Sequence, residues 1–378
     1  MSDDTVGDIR NLQGFSFGHL NAKATVAPAP FAAAAAPGPA AVTGVPPLGP
    51  LEQFVGSWTG LGFNTIFRPS QPATGSDNVL QLNLTTESLV FSAGLGSIPN
   101  RGEVQPDIFF NGVSYLQTVN DITNPGQSVG IHFEPGLWIF VPPTTNPAIP
   151  SPSLVRMGSI PHGTTILAQG TFTSNPGGPS IPLVNITPAG VPKFASQTAS
   201  DPGTPRIPKV LPVPGTSLSV TDWQNLLDDP NSFIRNSSLT QSITNTIEIS
   251  IASTPASPLF GGGIQDIAFL IGSAAPNANA NQFRATFWIE TVNFTLPIPV
   301  MAAGTSVTLS PTTTVAGLPL PQFAVQTNSD ITAATTVSVS YNQIQYSQFV
   351  ILTFAGLDWP HVSVATLVPA SPVTVQLP

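Results

Sequence analysis

An all-β, antiparallel barrel is the fold this chain predicts, and three observations predict it. Several segments alternate apolar and polar residues with a period of two, among them Val79-Leu80-Gln81-Leu82-Asn83-Leu84, Thr246-Ile247-Glu248-Ile249-Ser250-Ile251 and Val337-Ser338-Val339-Ser340-Tyr341. That period is the mark of a half-buried strand. Turn residues are dense, with 42 prolines and 32 glycines among 378 residues. Long helical runs are missing, which excludes the strand–helix alternation of a doubly wound α/β sheet. More than eight short strands with few helices make a barrel or a sandwich.

The elements follow in order. Residues 1–50 read as an extended arm: from Val26 to Pro50 the chain is nearly all Ala, Pro, Gly and Val, and five alanines between prolines cannot hold a helix. Phe15, Phe17 and Phe31 in the arm are expected to bury against another surface, such as a second subunit. Residues 51–378 read as a single barrel domain. Beyond the three alternating segments, strands are predicted over 86–92, 112–119, 129–134, 136–141, 153–159, 164–172, 264–271, 282–294, 343–354 and 361–368. One short helix is predicted near 221–229, with Thr221 as its N-cap and Pro230 ending it. The Pro- and Thr-rich intervals 174–218 and 296–334 read as insertions that decorate the barrel.

Composition narrows the function. Only 8% of residues are charged, and the net charge is −9 with three lysines (Lys23, Lys193, Lys209), so no basic patch exists for a nucleic-acid backbone. The absence of cysteine excludes disulfides, thiolate catalysis, Fe–S clusters and cysteine zinc sites. No apolar run approaches the ~18 residues of a membrane span. The opening Ser2-Asp3-Asp4 lacks the positive region of a signal peptide, so a cytoplasmic location is expected. So little charge on the surface suits burial against other subunits, and a homo-oligomer is expected.

Chemistry rests on few residues. There are four histidines, and His132, His162 and His361 each have a distinctive setting. His132 and Glu134 stand two apart on a strand and project to one side, where the carboxylate can fix the imidazole tautomer. The competing reading is a polar pair at the barrel rim. His162 follows Pro161 and precedes Gly163 in a turn, and a plain loop histidine is equally compatible with that setting. His361 starts an alternating strand after Trp359-Pro360; in isolation it is an ordinary strand residue. Three histidines also compose a zinc or non-haem iron site, with Glu134, Asp358 and Asp121 as the nearest carboxylates. No G-x-S-x-G marks a serine nucleophile, and Gly261-Gly262-Gly263 precedes no helix that would cradle a phosphate.

Four stretches carry a family resemblance. Residues 54–62, Phe-Val-Gly-Ser-Trp-Thr-Gly-Leu-Gly, resemble the G-x-W-x-G-x-G opening of the nitrobindin-like branch of the calycins. His132-Phe133-Glu134-Pro135-Gly136-Leu137-Trp138 resembles its H-x-E-x-G-f-w segment. Gly163–Gly170 resembles its central strand, and His361–Leu367 its closing strand. The resemblance implies an antiparallel calycin-like barrel that binds haem b non-covalently. His361 would be the iron ligand, with Asp358 or a nearby carbonyl on its other ring nitrogen. His132, His162 and Trp138 would line the cofactor pocket, and His132 with Glu134 would be the catalytic pair. It further implies peroxidase-like, NO- or peroxynitrite-handling chemistry, or oxidation of an apolar substrate. The arginine that follows the family's aromatic residue is replaced here by Ile139. Two other functions fit the residues: a carrier of an apolar ligand without metal, and a jelly-roll assembly protein. The alternation further predicts that His361, Ser363, Ala365 and Leu367 share one face of the last strand, with Val362, Val364, Thr366 and Val368 on the other.

Overall fold

The computed structural model describes residues 44–68, 79–123, 126–193, 197, 220–271, 277–313, 315 and 318–377. The arm and its three phenylalanines, up to residue 43, lie outside the described residues, as does most of 194–219.

Ten strands form the barrel: β1 Gly56–Arg68, β2 Val79–Phe91, β3 Ile108–Asp121, β4 Val129–Val141, β5 Ser153–Ile160, β6 Thr164–Pro176, β7 Ser242–Ala252, β8 Asn279–Ile298, β9 Thr335–Phe354 and β10 Leu357–Pro369. Each pairs antiparallel with the next in sequence, and β10 returns to β1 through pairs such as Gly60 with Leu367 and Thr65 with Val362. The sheet is therefore a closed meander, which leaves no barrel strand without a neighbour on both sides. The predicted all-β antiparallel barrel is the fold observed.

One end of the barrel is plugged. A 3-10 turn over Gly49–Gln53 inserts Leu51, followed by Phe54, and both are fully buried. Phe54 stacks on Phe91 (4.6 Å) and meets Trp138 (5.5 Å) and Phe287 (5.9 Å) edge-on. The Trp58 indole is buried there too and donates to Phe54 O at 2.7 Å. Gly60 and Gly62 are required by close approach: a Cβ on Gly60 would stand 2.0 Å from Thr366 O, and one on Gly62 would stand 2.6 Å from Val364 O.

The outside is layered. Helices α1 Val220–Asp228 and α2 Ser232–Ser238, with Ile181 and Ile186, cover the outward faces of β1, β2, β9 and β10, where Leu80, Leu82, Leu84, Val362 and Val364 point. Helix α1 starts at Val220, so Thr221 lies in its first turn rather than capping it. A small sheet of Ser306–Leu309, Phe323–Thr327 and Val373–Leu377 covers the extended ends of β8 and β9 through Leu296, Ile298 and Val339. Both described insertions thus decorate one barrel. The strand predicted over 264–271 is shorter, Gly262–Asp266, and pairs with β6. Beyond it, residues 267–270 turn back over the barrel mouth, where Leu270 reaches the interior.

Candidate functional site

Between the plug and the opposite, open end lies a cavity of about 410 Å³. The period-2 geometry of the strands builds it. Along β10, His361 and Ser363 line the cavity while Ala365 and Leu367 join the plug. The division of faces predicted for this strand is the one observed. Along β2, Gln81, Asn83, Thr85 and Glu87 line the cavity, and Leu89 and Phe91 lie below it. Most of the remaining wall is apolar, including Ile66, Val119, Ile131, Ile166, Val350 and Leu352.

The structure brings together three of the four histidines. His132 on β4, His162 in the β5–β6 turn and His361 on β10 all line this cavity. His132 and His162 stack, ring centroids 5.8 Å apart and 27° between planes. In the ten-stranded ring β5 and β6 are five and four strands from β10, so His162 and His361 reach the cavity from separate parts of the wall.

Each histidine has a distinct support. His132 Nε2 donates to Glu134 Oε2 at 3.1 Å, which leaves Nδ1 as its basic nitrogen. His162 Nε2 donates to Ile131 O at 3.0 Å. Burial lowers the His162 pKa, and the neighbouring His132 lowers it further. His361 Nε2 accepts from Asn64 Nδ2 at 2.6 Å, and the same amide donates to Ser363 Oγ at 2.6 Å. Burial, aided by His132 and His162, pushes the His361 pKa down to about 3, so the imidazole is neutral at physiological pH. Asp358 does not serve His361: its carboxylate accepts from Thr353 (2.6 Å) and Asn281 (3.2 Å) at the surface. Pro360 sits inside β10, beyond the last pair with β1, where the strand keeps only β9 as neighbour.

Glu134 is fully buried on the same inward face as His132, one step nearer the plug, and does not itself line the cavity. Arg156 Nη2 donates to Glu134 Oε1 at 2.7 Å and Arg156 Nε to Tyr115 Oη at 2.9 Å, and the Tyr115 hydroxyl donates to Glu134. Burial alone would raise the Glu134 pKa; the Arg156 charge and the bonds from His132 and Tyr115 override it and hold the carboxyl at about 2. Trp138, expected in the pocket, lies instead in the plug, 1% exposed. Directly opposite it in the β4–β5 ladder is Arg156, whose guanidinium stands 5.9 Å from the indole. Asp121, at the end of β3, accepts from Thr123 N at 2.8 Å and does not line the cavity. Among the described residues no cluster of three or more His, Cys, Asp or Glu has the geometry of a protein-only metal site.

Sequence reasoning missed the polar floor. Tyr346 Oη donates to both Glu87 oxygens at 2.8 Å, and Gln117 Nε2 donates to Glu87 Oε2 at 3.2 Å. Burial raises the Glu87 pKa to about 7 against these bonds. The signal was present in β2, where the polar set Gln81, Asn83, Thr85 and Glu87 alternates with leucines. A polar face is ordinarily assigned to solvent, and here the insertion covers the leucines instead.

No protein-family model and no characterised protein sequence matches the chain. A solved structure, that of Rv2717c from M. tuberculosis, aligns over 86% of this chain and 97% of its own, at 10% identity and a TM-score of 0.33, a likeness that carries no conclusion here. No helix among the described residues is long and apolar enough to cross a membrane.

Proposed function

We propose that the barrel binds haem b non-covalently in this cavity, with His361 as the axial ligand, as the nitrobindin-like resemblance implies. One observation supports the reading above the others: three of four histidines, brought from three separate parts of the chain, converge on a single, largely aliphatic cavity. A volume of about 410 Å³ is in the ~300–1,000 Å³ range of small-molecule sites. His361 fits the role because burial keeps its imidazole neutral, and because its Nε2 is the nitrogen that bears the lone pair. Asn64, which now donates to that nitrogen, keeps Ser363 Oγ as an alternative acceptor.

Bound haem would supply a redox-active iron for peroxide, NO or peroxynitrite chemistry, or for oxidation of an apolar substrate. The chain's own part is acid–base. Glu134, locked ionised by Arg156, holds the His132 Nε2–H and leaves Nδ1 able to take a proton from a group in the cavity. His162 stacks on His132, and burial together with that neighbour holds the His162 imidazole in its neutral form.

The second reading is a carrier of an apolar ligand without metal. The Asn64 bond favours it, since it engages the His361 Nε2 lone pair that an iron would need. Haemin titration separates the two. Haem binding produces a Soret band saturating at one equivalent in the wild type and lost in His361→Ala. An unchanged affinity and spectrum in that variant, or no band in the wild type, overturns the haem assignment.

A further inference from the structure

We infer that the cavity floor is a second recognition point, at which Glu87 receives an uncharged hydroxyl or carbonyl group of a ligand, and that this floor rejects carboxylates. The inference rests on the cavity being a binding site and is independent of haem.

The floor groups are arranged around one carboxyl. The single Tyr346 hydroxyl hydrogen is spent on Glu87, and Gln117 Nε2 is shared between Glu87 Oε2 and Tyr346 Oη (3.1 Å). The acidic group left to meet a ligand is the Glu87 carboxyl, which lines the cavity with Thr85, whose buried hydroxyl has no hydrogen-bond partner. Gly62 gives it room: a Cβ there would stand 2.8 Å from Glu87 Oε1 and 2.6 Å from Thr85 Oγ1. Burial places the Glu87 pKa at about 7, with Tyr346, Gln117, His132 and Thr85 opposing that rise. Near neutrality the carboxyl can therefore donate to a carbonyl or accept from a hydroxyl.

A charged head has no counterpart. Among the described residues lining the cavity none is Lys or Arg. The Arg156 guanidinium, inside the barrel but not in the lining, is committed to Glu134, Tyr115 and Gln348 (2.9 Å). A carboxylate reaching the floor would be desolvated beside Glu87 with no Lys or Arg free to offset it; the lining group whose charge acts on the Glu87 carboxyl is His132.

The test is calorimetric titration of haem-free protein at pH 8 with 1-octanol, 1-chlorooctane and octanoate. The wild type is expected to prefer octanol over chlorooctane about tenfold, the worth of one hydrogen bond to a charged or strongly polar group, and to bind octanoate most weakly. Glu87→Leu should abolish the octanol preference. Glu87→Gln, which keeps shape and hydrogen bonding, should retain that preference and shrink the gap between octanol and octanoate at least threefold; it keeps the test open if the leucine variant does not fold. Octanoate binding as tightly as octanol in the wild type, an octanol preference surviving in Glu87→Leu, or an unchanged gap in Glu87→Gln overturns the inference. Because no haem is present, these outcomes do not depend on the Soret titration.

Discussion

Replacing Arg156 by Met should cost the fold about 3–5 kcal/mol, the price of leaving one partner of a buried ion pair alone. Arg156 is 1% exposed and Glu134 0%. The guanidinium bonds Glu134, Tyr115 and Gln348 at 2.7–2.9 Å and lies 5.4 and 5.6 Å from the Phe283 and Phe287 rings. Methionine fills much of that space, so the loss is electrostatic and not a cavity. At an m-value of about 3 kcal/mol/M, a loss of about 4 kcal/mol moves the urea midpoint by about 1.3 M. The pH dependence is diagnostic. In the wild type the Glu134 pKa is depressed to about 2, so its contribution is present above the unfolded carboxylate range and is lost only as pH falls toward about 2. In Arg156→Met only the bonds from His132 and Tyr115 still oppose the burial penalty and the pKa rises, so between pH 8 and pH 5 the variant should gain more stability than the wild type, whose own gain comes from Glu87 and Glu290. Glu134→Leu combined with Arg156→Met should recover at least half the loss, because no charge is then stranded. A midpoint shift below about 0.3 M, or a variant that gains no more than the wild type on acidification, would refute the argument.

Three further outcomes follow from other sites. Glu290 is buried on the outer side of β8, with Oε1 unpartnered and Oε2 accepting from Gln343, and burial lifts its pKa to about 8. A raised carboxyl pKa gives stability present below the unfolded value and lost as pH rises through about 8. Glu290→Gln should therefore stabilise the protein at pH 9 by a few kcal/mol (~1.4 per pK unit) and leave it unchanged near pH 4, as read by thermal melts. Phe54→Ala should cost about 3–5 kcal/mol by opening the plug, measured as a fall in urea midpoint. Gly60→Ala should prevent folding or lower Tm steeply, since its Cβ meets the Thr366 carbonyl, whereas Gly263→Ala, with open space around it, should match the wild type in circular dichroism and Tm.

The barrel was legible because alternation reports strands whichever face is buried. It does not report which face is the inside. In β7 the apolar set Ile247, Ile249 and Ile251 turns inward, as ordinary burial suggests. In β2 the apolar set Leu80, Leu82 and Leu84 turns outward, under α1 and α2, and the polar set enters the barrel. The inversion depends on residues more than ninety positions away, in a proline-rich stretch with no strand pattern of its own. The small outer sheet was hidden for a related reason: Val373–Leu377 pairs in parallel with Phe323–Thr327, a contact between short strands that no local turn announces.

The site divides along the same line. The histidines stood out by scarcity, and neighbour spacing placed Glu134 beside His132 correctly. What supports them came from across the barrel: Asn64 to His361, Tyr115 and Arg156 to Glu134, Tyr346 to Glu87. Position 139 shows the limit of reading neighbours along one strand. It holds Ile, yet the ladder sets Arg156 directly opposite Trp138, so a cation reaches that indole from the next strand. In a closed sheet the neighbours of a residue are set by register more than by sequence distance. A motif read along one strand therefore captures half of a barrel site, and the other half is written on the strands that close against it.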